Sequence, residues 1–249
     1  MEWWMLGVLA LTGVAAGAIN TVAGGGSLLT LPIMIALGLP PGVANGTNRI
    51  GVILQSSVAA WQFKREGLLD VRLSAWLMVP TCLGAALGAL VSVELDEALF
   101  SKIIGAVMLL MLAVVLLKPE RWLKGREEEN PKALWWQIPA FFAVGLYGGF
   151  LQAGVGVFLL AALVLLTGRD LVRSNGVKAA LVAGFTAPPL VIFVVNDLVV
   201  WAPGLALACG SMLGGWLGSK MTVSWGPAFV RWVLIAVVAA SSVKLLLGL

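Results

Sequence analysis

The chain has no histidine, one tyrosine, two cysteines and few charges: 16 lysines and arginines against 12 aspartates and glutamates in 249 residues. Without histidine, imidazole-based zinc sites, Ser-His-Asp catalysis and histidine proton relays are excluded. Cys82 and Cys209 each lie in an apolar stretch with no CxxC pair, so no metal site is expected from them. No nucleophile stands beside a base, and no carboxylates cluster within an apolar run. The sequence therefore points away from an enzyme, with no catalytic residue, no metal and no cofactor expected. Charge is scarce enough to decide the solvent. Only 11% of residues are charged, against about 25% in an ordinary soluble domain. A water-facing globule of this length could not be coated.

What is present is apolar. Hydrophobic residues make up 60% of the chain, and the mean hydropathy is +1.01. The apolar runs are continuous rather than alternating, which selects membrane helices over a barrel. A net charge of +4 and a pI of about 9.3 then read as basic cytoplasmic loops, not as a nucleic-acid surface. The opening Met1-Glu2-Trp3-Trp4 lacks a basic region, so the first segment reads as a membrane element rather than a cleaved signal.

A spanning helix needs about 20 apolar residues, and such runs fall near 43–63, 72–92, 100–117, 178–195, 199–219 and 228–247. The stretches 3–39 and 134–167 are too long for one span. Glycine breaks each in the middle, at Gly24-Gly25-Gly26-Ser27 and at Ala153-Gly154-Val155-Gly156. Each predicts a helical hairpin, re-entrant or made of two short spans. One polar linker, 118–133, separates a first transmembrane repeat at 1–117 from a second at 134–249. The halves repeat: Gly13, Gly17, Asn20 and Gly24 return in the same order and spacing as Gly145, Gly149, Gln152 and Gly156. At nearly the same offset, Asn45-Gly46 returns as Asn175-Gly176, and Gly84/Gly88 is matched to Gly214/Gly218. Such a repeat sets the architecture before any element is assigned.

Loop charge gives orientation. Glu94, Asp96 and Glu97, and then Asn196-Asp197, read as outside. Lys64, Arg65, Arg72, the linker, Arg169, Arg173 and Lys220 read as inside. Three crossings plus a hairpin per half is an odd number, so the halves are expected to be inverted. The expected fold is an all-α polytopic bundle of two homologous halves, each a glycine-broken hairpin plus three spans. A parallel repeat, with each long stretch one kinked span, is the other solution.

Chemistry should concentrate at the breaks. Irregular backbone at membrane depth is tolerated only where protein buries it or where it lines a wet cavity. Freed N–H groups at a helix N-terminus suit anions, and Gly24, Gly25, Gly26, Gly154 and Gly156 leave such groups uncrowded. Ser27 is expected to cap the helix that follows. Asn20 and Gln152 sit four residues before matching glycines and are read as facing one centre. Asn45, Thr47, Asn48 and Arg49 in one half, with Asn175 and Lys178 in the other, bring amides, a hydroxyl and a cation to the start of a span. A cation there either belongs to a site or snorkels to headgroups, and the glycines either form the site or let helices pack closely. All twelve carboxylates lie in loops or near span ends. Donors without carboxylates suit an anion, not a cation. Trp3, Trp4, Trp61, Trp122, Trp135, Trp136, Trp201 and Trp225 fall near span ends as interfacial belts, and Pro188-Pro189 should kink its span.

The stretches AGAINTVAGGGSLLTLP, GLPPGVANGTNRIG and WQFKREGLLD, with GGFLQAGVGVFLL and LVRSNGVKA in the second half, resemble the TauE/SafE sulfite exporter family. The likeness covers essentially the whole chain. It implies a multi-pass transporter of the bacterial inner membrane, a small sulfur-containing oxyanion as partner besides the lipid bilayer, and export as the direction. It also implies that Asn20, residues 24–27, Asn45, Asn48, Gln152, Gly156, Asn175 and Lys178 contribute to the pathway. An anion channel, or a carrier or uptake system for another small organic anion, is the alternative. The sequence leaves room for a homo-oligomer.

Overall fold

A computed structural model describes residues 2–100, 102–104, 106 and 135–246. Its helices are α1 (Trp3–Ala23), α2 (Ser27–Ala36), α3 (Pro41–Arg65), α4 (Val71–Val93), α5 (Gln137–Leu151), α6 (Val155–Thr167), α7 (Leu171–Phe185), α8 (Ala187–Val195) and α9 (Trp201–Leu246). Gly226 is a non-helical residue inside α9. No strand occurs among the described residues. Trp3–Ala23, Val71–Val93 and the α7–α8 stretch Leu171–Val195 are long and apolar enough to cross a bilayer, as befits a helical membrane protein. The linker 118–133 lies outside the described residues. So does the expected span at 100–117, apart from 100, 102–104 and 106, and most side chains of the expected span at 228–247 do too.

Both long stretches form hairpins. Gly24 ends α1 in the left-handed region at φ 84°, its N–H donating to Asn20 O at 2.8 Å. Gly154 turns α5 into α6 at φ 71°. Glycine enters this region without the steric penalty a Cβ brings. Glu2 and Met5 at the start of α1 share a pocket with Leu37, Gly38 and Leu39 after α2, beside Pro40 and Val43 at the start of α3. The first hairpin thus returns to the end from which it set out. In the second, Gln137 Nε2 donates to Leu166 O at 3.0 Å, tying the start of α5 to the end of α6. Arg169, just past α6, pairs with Asp70, between α3 and α4. One hairpin therefore opens at the Pro41 end of α3 and the other at its Arg65 end. Pro188 falls in the first turn of α8, and the expected kink lies there, with α7 ending at Phe185.

Each half lends its first helix to the other: α1 runs along α9, and α5 along α4. The seams are glycine-lined and backbone-close. A Cβ on Gly13 would sit 2.4 Å from Leu207 O, and one on Gly145 would sit 2.2 Å from Thr81 O. These seams correct the repeat register. Gly84 and Gly88 face Phe142 O and Leu146 O, while Gly210 and Gly214 face Ala10 O and Val14 O. Ala10 and Val14 stand to Phe142 and Leu146 as Gly13 stands to Gly145, so Gly84/Gly88 corresponds to Gly210/Gly214. The match to Gly214/Gly218 is one helical turn out, because glycines spaced by four fit both registers. Trp3, Trp4, Trp61, Trp135, Trp136, Trp201 and Trp225 are all exposed on this chain, where lipid would meet them; Trp122 lies outside the described residues.

Candidate functional site

The two hairpin tips meet at the centre. A Cβ on Gly24 would lie 2.1 Å from the carbonyl carbon of Gly156, and one on Gly156 would lie 2.5 Å from Gly24 Cα. Gly24 and Gly156 therefore bring two backbones into contact. Beside them lies a narrow cavity of about 10 Å3, room for roughly one water molecule. Its polar lining is Asn20, Thr21, Ser27, Gln55, Ser56, Gln152 and Lys178, with Val52, Ala59, Val155, Gly156, Ala179 and Val182 completing the wall. None of these described lining residues is a carboxylate.

The cation in that wall is held by a broken helix. Lys178, on α7, is 2% exposed, and its Nζ donates to Asn20 O at 3.0 Å and to Thr21 O at 2.9 Å. Those carbonyls belong to the last turn of α1, at the glycine break, where Asn20 O also accepts from Gly24 N. An ammonium has three donors, so one N–H is left for whatever enters the cavity. Asn175, one turn earlier, donates from Nδ2 to Val22 O at 3.0 Å. The same device recurs in the other half. Arg49, on α3, is fully buried; Nη1 donates to Gly148 O at 3.2 Å and Nη2 to Gly149 O at 2.5 Å, at the end of α5. Asn45 Nδ2 donates to Phe150 O at 2.9 Å. Each half thus caps the broken helix of the other with an asparagine and a cation.

Among the described residues, no carboxylate pairs with Arg49 or Lys178; the ion pairs are Arg169 with Asp70 and Arg173 with Asp170. A helix C-terminus stabilises a cation by up to about 2 kcal/mol, while burying an ion costs several kcal/mol. No described carboxylate balances the positive charge of these two side chains. An anion would balance it.

Of the residues expected to bind, Asn20, Ser27, Gln152, Gly156 and Lys178 line the cavity. Arg49 does not; its guanidinium lies 4.6 Å from the centroid of the Phe193 ring, buried rather than snorkelling. Thr47 Oγ1 accepts from Val200 N at 3.0 Å, which ties α3 to the entry of α9. Asn48 holds α2, donating to Ser27 Oγ at 3.2 Å and accepting from Thr30 Oγ1 at 2.7 Å. Three expectations need correction. Gly26, not Ser27, occupies the cap position of α2, and no side chain caps it there. Asn20 and Gln152 are not equivalent: Asn20 lies in the last turn of α1, whereas Gln152 lies in the break after α5. The Gly24 and Gly26 amides are also spent locally, on Asn20 O and, at 3.4 Å, on Asn20 Oδ1. Gly25 and Gly154 remain in the breaks but do not line the cavity.

Gln55, Ser56 and Thr21 were missed. Gln55 and Ser56 follow Asn48 and Arg49 two turns along the same helical face, and that spacing could have found them. Gln152 donates to Thr186 Oγ1 at 2.9 Å, while its Oε1, buried, has no partner.

A family sequence model described as sulfite exporter TauE/SafE matches residues 9–245. A probable membrane transporter protein of Haemophilus influenzae is 29% identical over 229 residues, spanning 91% of this chain and 89% of the relative. The probable membrane transporter protein YfcA of Escherichia coli K12 is 30% identical over 245 residues, spanning 97% and 90%. A third, ORF9 of a Sinorhizobium species, is 25% identical over 252 residues, spanning 99% and 94%. No solved structure matches the chain.

Proposed function

The chain belongs to the TauE/SafE sulfite exporter family, and from that premise we propose a secondary transporter that exports sulfite, an organosulfonate or a related sulfur oxyanion across the bacterial inner membrane by alternating access. The observation that carries the anion is Lys178: a buried ammonium with a donor to spare, in a cavity lined by amides and hydroxyls and free of carboxylates. The opposite openings of the two hairpins support inverted halves, the plan of many secondary transporters. The cavity is smaller than a four-atom oxyanion, which supports an occluded carrier whose halves must part to load it.

In this reading Lys178 supplies charge, and Asn20, Ser27, Gln55, Ser56 and Gln152 supply hydrogen bonds. An inside-negative potential favours outward movement of an anion by about 2.3 kcal/mol per charge per 100 mV, so export needs no proton partner. The test is sulfite efflux from liposomes bearing the purified protein at clamped potential, with empty liposomes as control. Saturable, potential-dependent efflux that is lost in Lys178→Gln is the expected result. No sulfite or sulfonate flux from folded protein would overturn the substrate class, and unsaturable flux would indicate a channel.

A further inference from the structure

An arrangement beside the cavity at the Arg65 end of α3 recurs, with different chemistry, at the Pro41 end. Toward the Arg65 end of α3, the lining residues Ala59 and Ala179 belong to one buried cluster with Phe63 and Val172. Leu68 and Leu69 pack against that cluster. A Cβ on Gly176 would sit 2.7 Å from Leu68 O, so α7 lies directly on this loop. Toward the Pro41 end, each part recurs at the offset that relates Asn45 to Asn175: Phe193 for Phe63, Leu198 for Leu68, and Gly46 for Gly176. A Cβ on Gly46 would sit 2.2 Å from Leu198 O. Phe63 and Phe193 are both fully buried.

The fastenings differ. Leu68 and Leu69 lead into Asp70, whose carboxylate pairs with Arg169 across the two halves, with side chains 27% and 16% exposed. No ion pair fastens the Phe193 end among the described residues; there Arg49 lies against the ring.

We propose that Phe63 and Phe193 are the two gates of the central cavity, the first locked by the Asp70–Arg169 ion pair and the second by the Arg49 guanidinium. The proposal rests on the transporter reading for its purpose but not for its test. Opening either gate exposes the cavity to one side of the membrane. The ion pair is partly exposed, so salt screens it. Arg49 is buried, so salt does not reach it. The gate beside the basic loops, cytoplasmic by the positive-inside rule, is therefore the one that yields to ionic strength.

The experiment is sided labelling of Ser56→Cys, an isosteric reporter in the cavity wall, in a Cys82→Ala/Cys209→Ala background. Right-side-out and inside-out vesicles are treated with a membrane-impermeant methanethiosulfonate. Asp70→Asn keeps an acceptor for Leu73 N, which Asp70 Oδ1 caps at 2.8 Å, so the helix start survives while the ion pair is lost. Labelling from the Arg65 face should rise about tenfold, the effect of a modest population shift, and remain unchanged from the other face. Phe63→Ala should act on the same face, Phe193→Ala on the opposite one, and Asp70→Arg/Arg169→Asp should restore the original rate. Equal labelling from both faces, or no response to Asp70→Asn and Phe63→Ala, overturns the gates. Sided labelling without anion flux would sink the transport reading and leave the gates standing; flux without sided labelling would do the reverse.

Discussion

Arg49 and Lys178 occupy comparable places in the two halves, each buried, each holding carbonyls at the end of the other half's broken helix. They part company in what lies on their other side. Lys178 lines the cavity; Arg49 is covered by Phe193. Asn45-Gly46-Thr47-Asn48-Arg49 and Asn175-Gly176-Val177-Lys178-Ala179 differ by one position in where the cation falls. The longer, planar guanidinium reaches two carbonyls and an aromatic face at once, whereas the ammonium keeps a donor free. The two matching segments thus place one cation against the cavity and the other against an aromatic ring.

Removing the two charges should separate these roles. Arg49→Met strips two charged hydrogen bonds from the end of α5, each worth roughly 1.5–3 kcal/mol, and a thermal unfolding assay in detergent should show a loss of about 3 kcal/mol or more. Lys178→Gln retains donors for the α1 carbonyls while losing the charge. Anion efflux should fall about a hundredfold, equivalent to roughly 2.7 kcal/mol, with the melting temperature little changed. If Arg49→Met kept its stability and lost only flux, the division of labour between the halves would be wrong.

The contact between the hairpin tips is the next comparison to sharpen. Gly156→Ala would press a methyl group into Gly24 Cα and the Gly24 carbonyl oxygen, 2.5 and 2.8 Å away. Backbone cannot step aside as a side chain can, so a destabilisation of about 1–3 kcal/mol is expected. Gly38→Ala is the contrast: nothing lies within 4 Å of its Cβ, and its φ of 92° leaves only local strain, worth about 1 kcal/mol. Unfolding midpoints of the two variants measure the difference directly. Equal losses would mean that the tips do not bear on each other.

Much of this was legible in the sequence, and the limits have physical causes. Long apolar runs located α3 and α4 to within a few residues, because a bilayer demands continuous hydrophobicity. Glycine triplets and pairs located both breaks. The duplicated Asn-Gly located the two capping asparagines. The partners they cap were not legible, since α3 reaches into α5 and α7 into α1, and contacts across halves leave no local pattern. The depth of Arg49 was equally hidden: a span's start can lie at the headgroups or, as here, beneath Phe193 and the end of α5. The register of α9 failed for another reason. Small residues recur every four positions along both seams, so a slip of one turn preserves the pattern while changing every partner.

The smallest effects test whether the halves are equivalent beneath their division of labour. Asn45 Nδ2 and Asn175 Nδ2 each hold a carbonyl at the end of the opposite broken helix, at 2.9 and 3.0 Å. Each also leaves a buried Oδ1 without a partner. Neither side chain lines the cavity, so neither should distinguish binding from holding. Asn45→Ala frees Phe150 O, and Asn175→Ala frees Val22 O. A hydrogen bond of this kind contributes about 1 kcal/mol net, and the orphaned carbonyl adds a comparable penalty. Each variant also removes an unsatisfied oxygen, which offsets part of that loss. A destabilisation near 1 kcal/mol is therefore expected in both, equal within about 0.5 kcal/mol, with the double variant additive because the sites lie in separate halves. Denaturation of the two single variants and the double variant gives all three numbers. A larger loss for Asn175→Ala would make the Lys178 side structural as well as binding, and the division between the halves would then begin one turn earlier than the cations themselves.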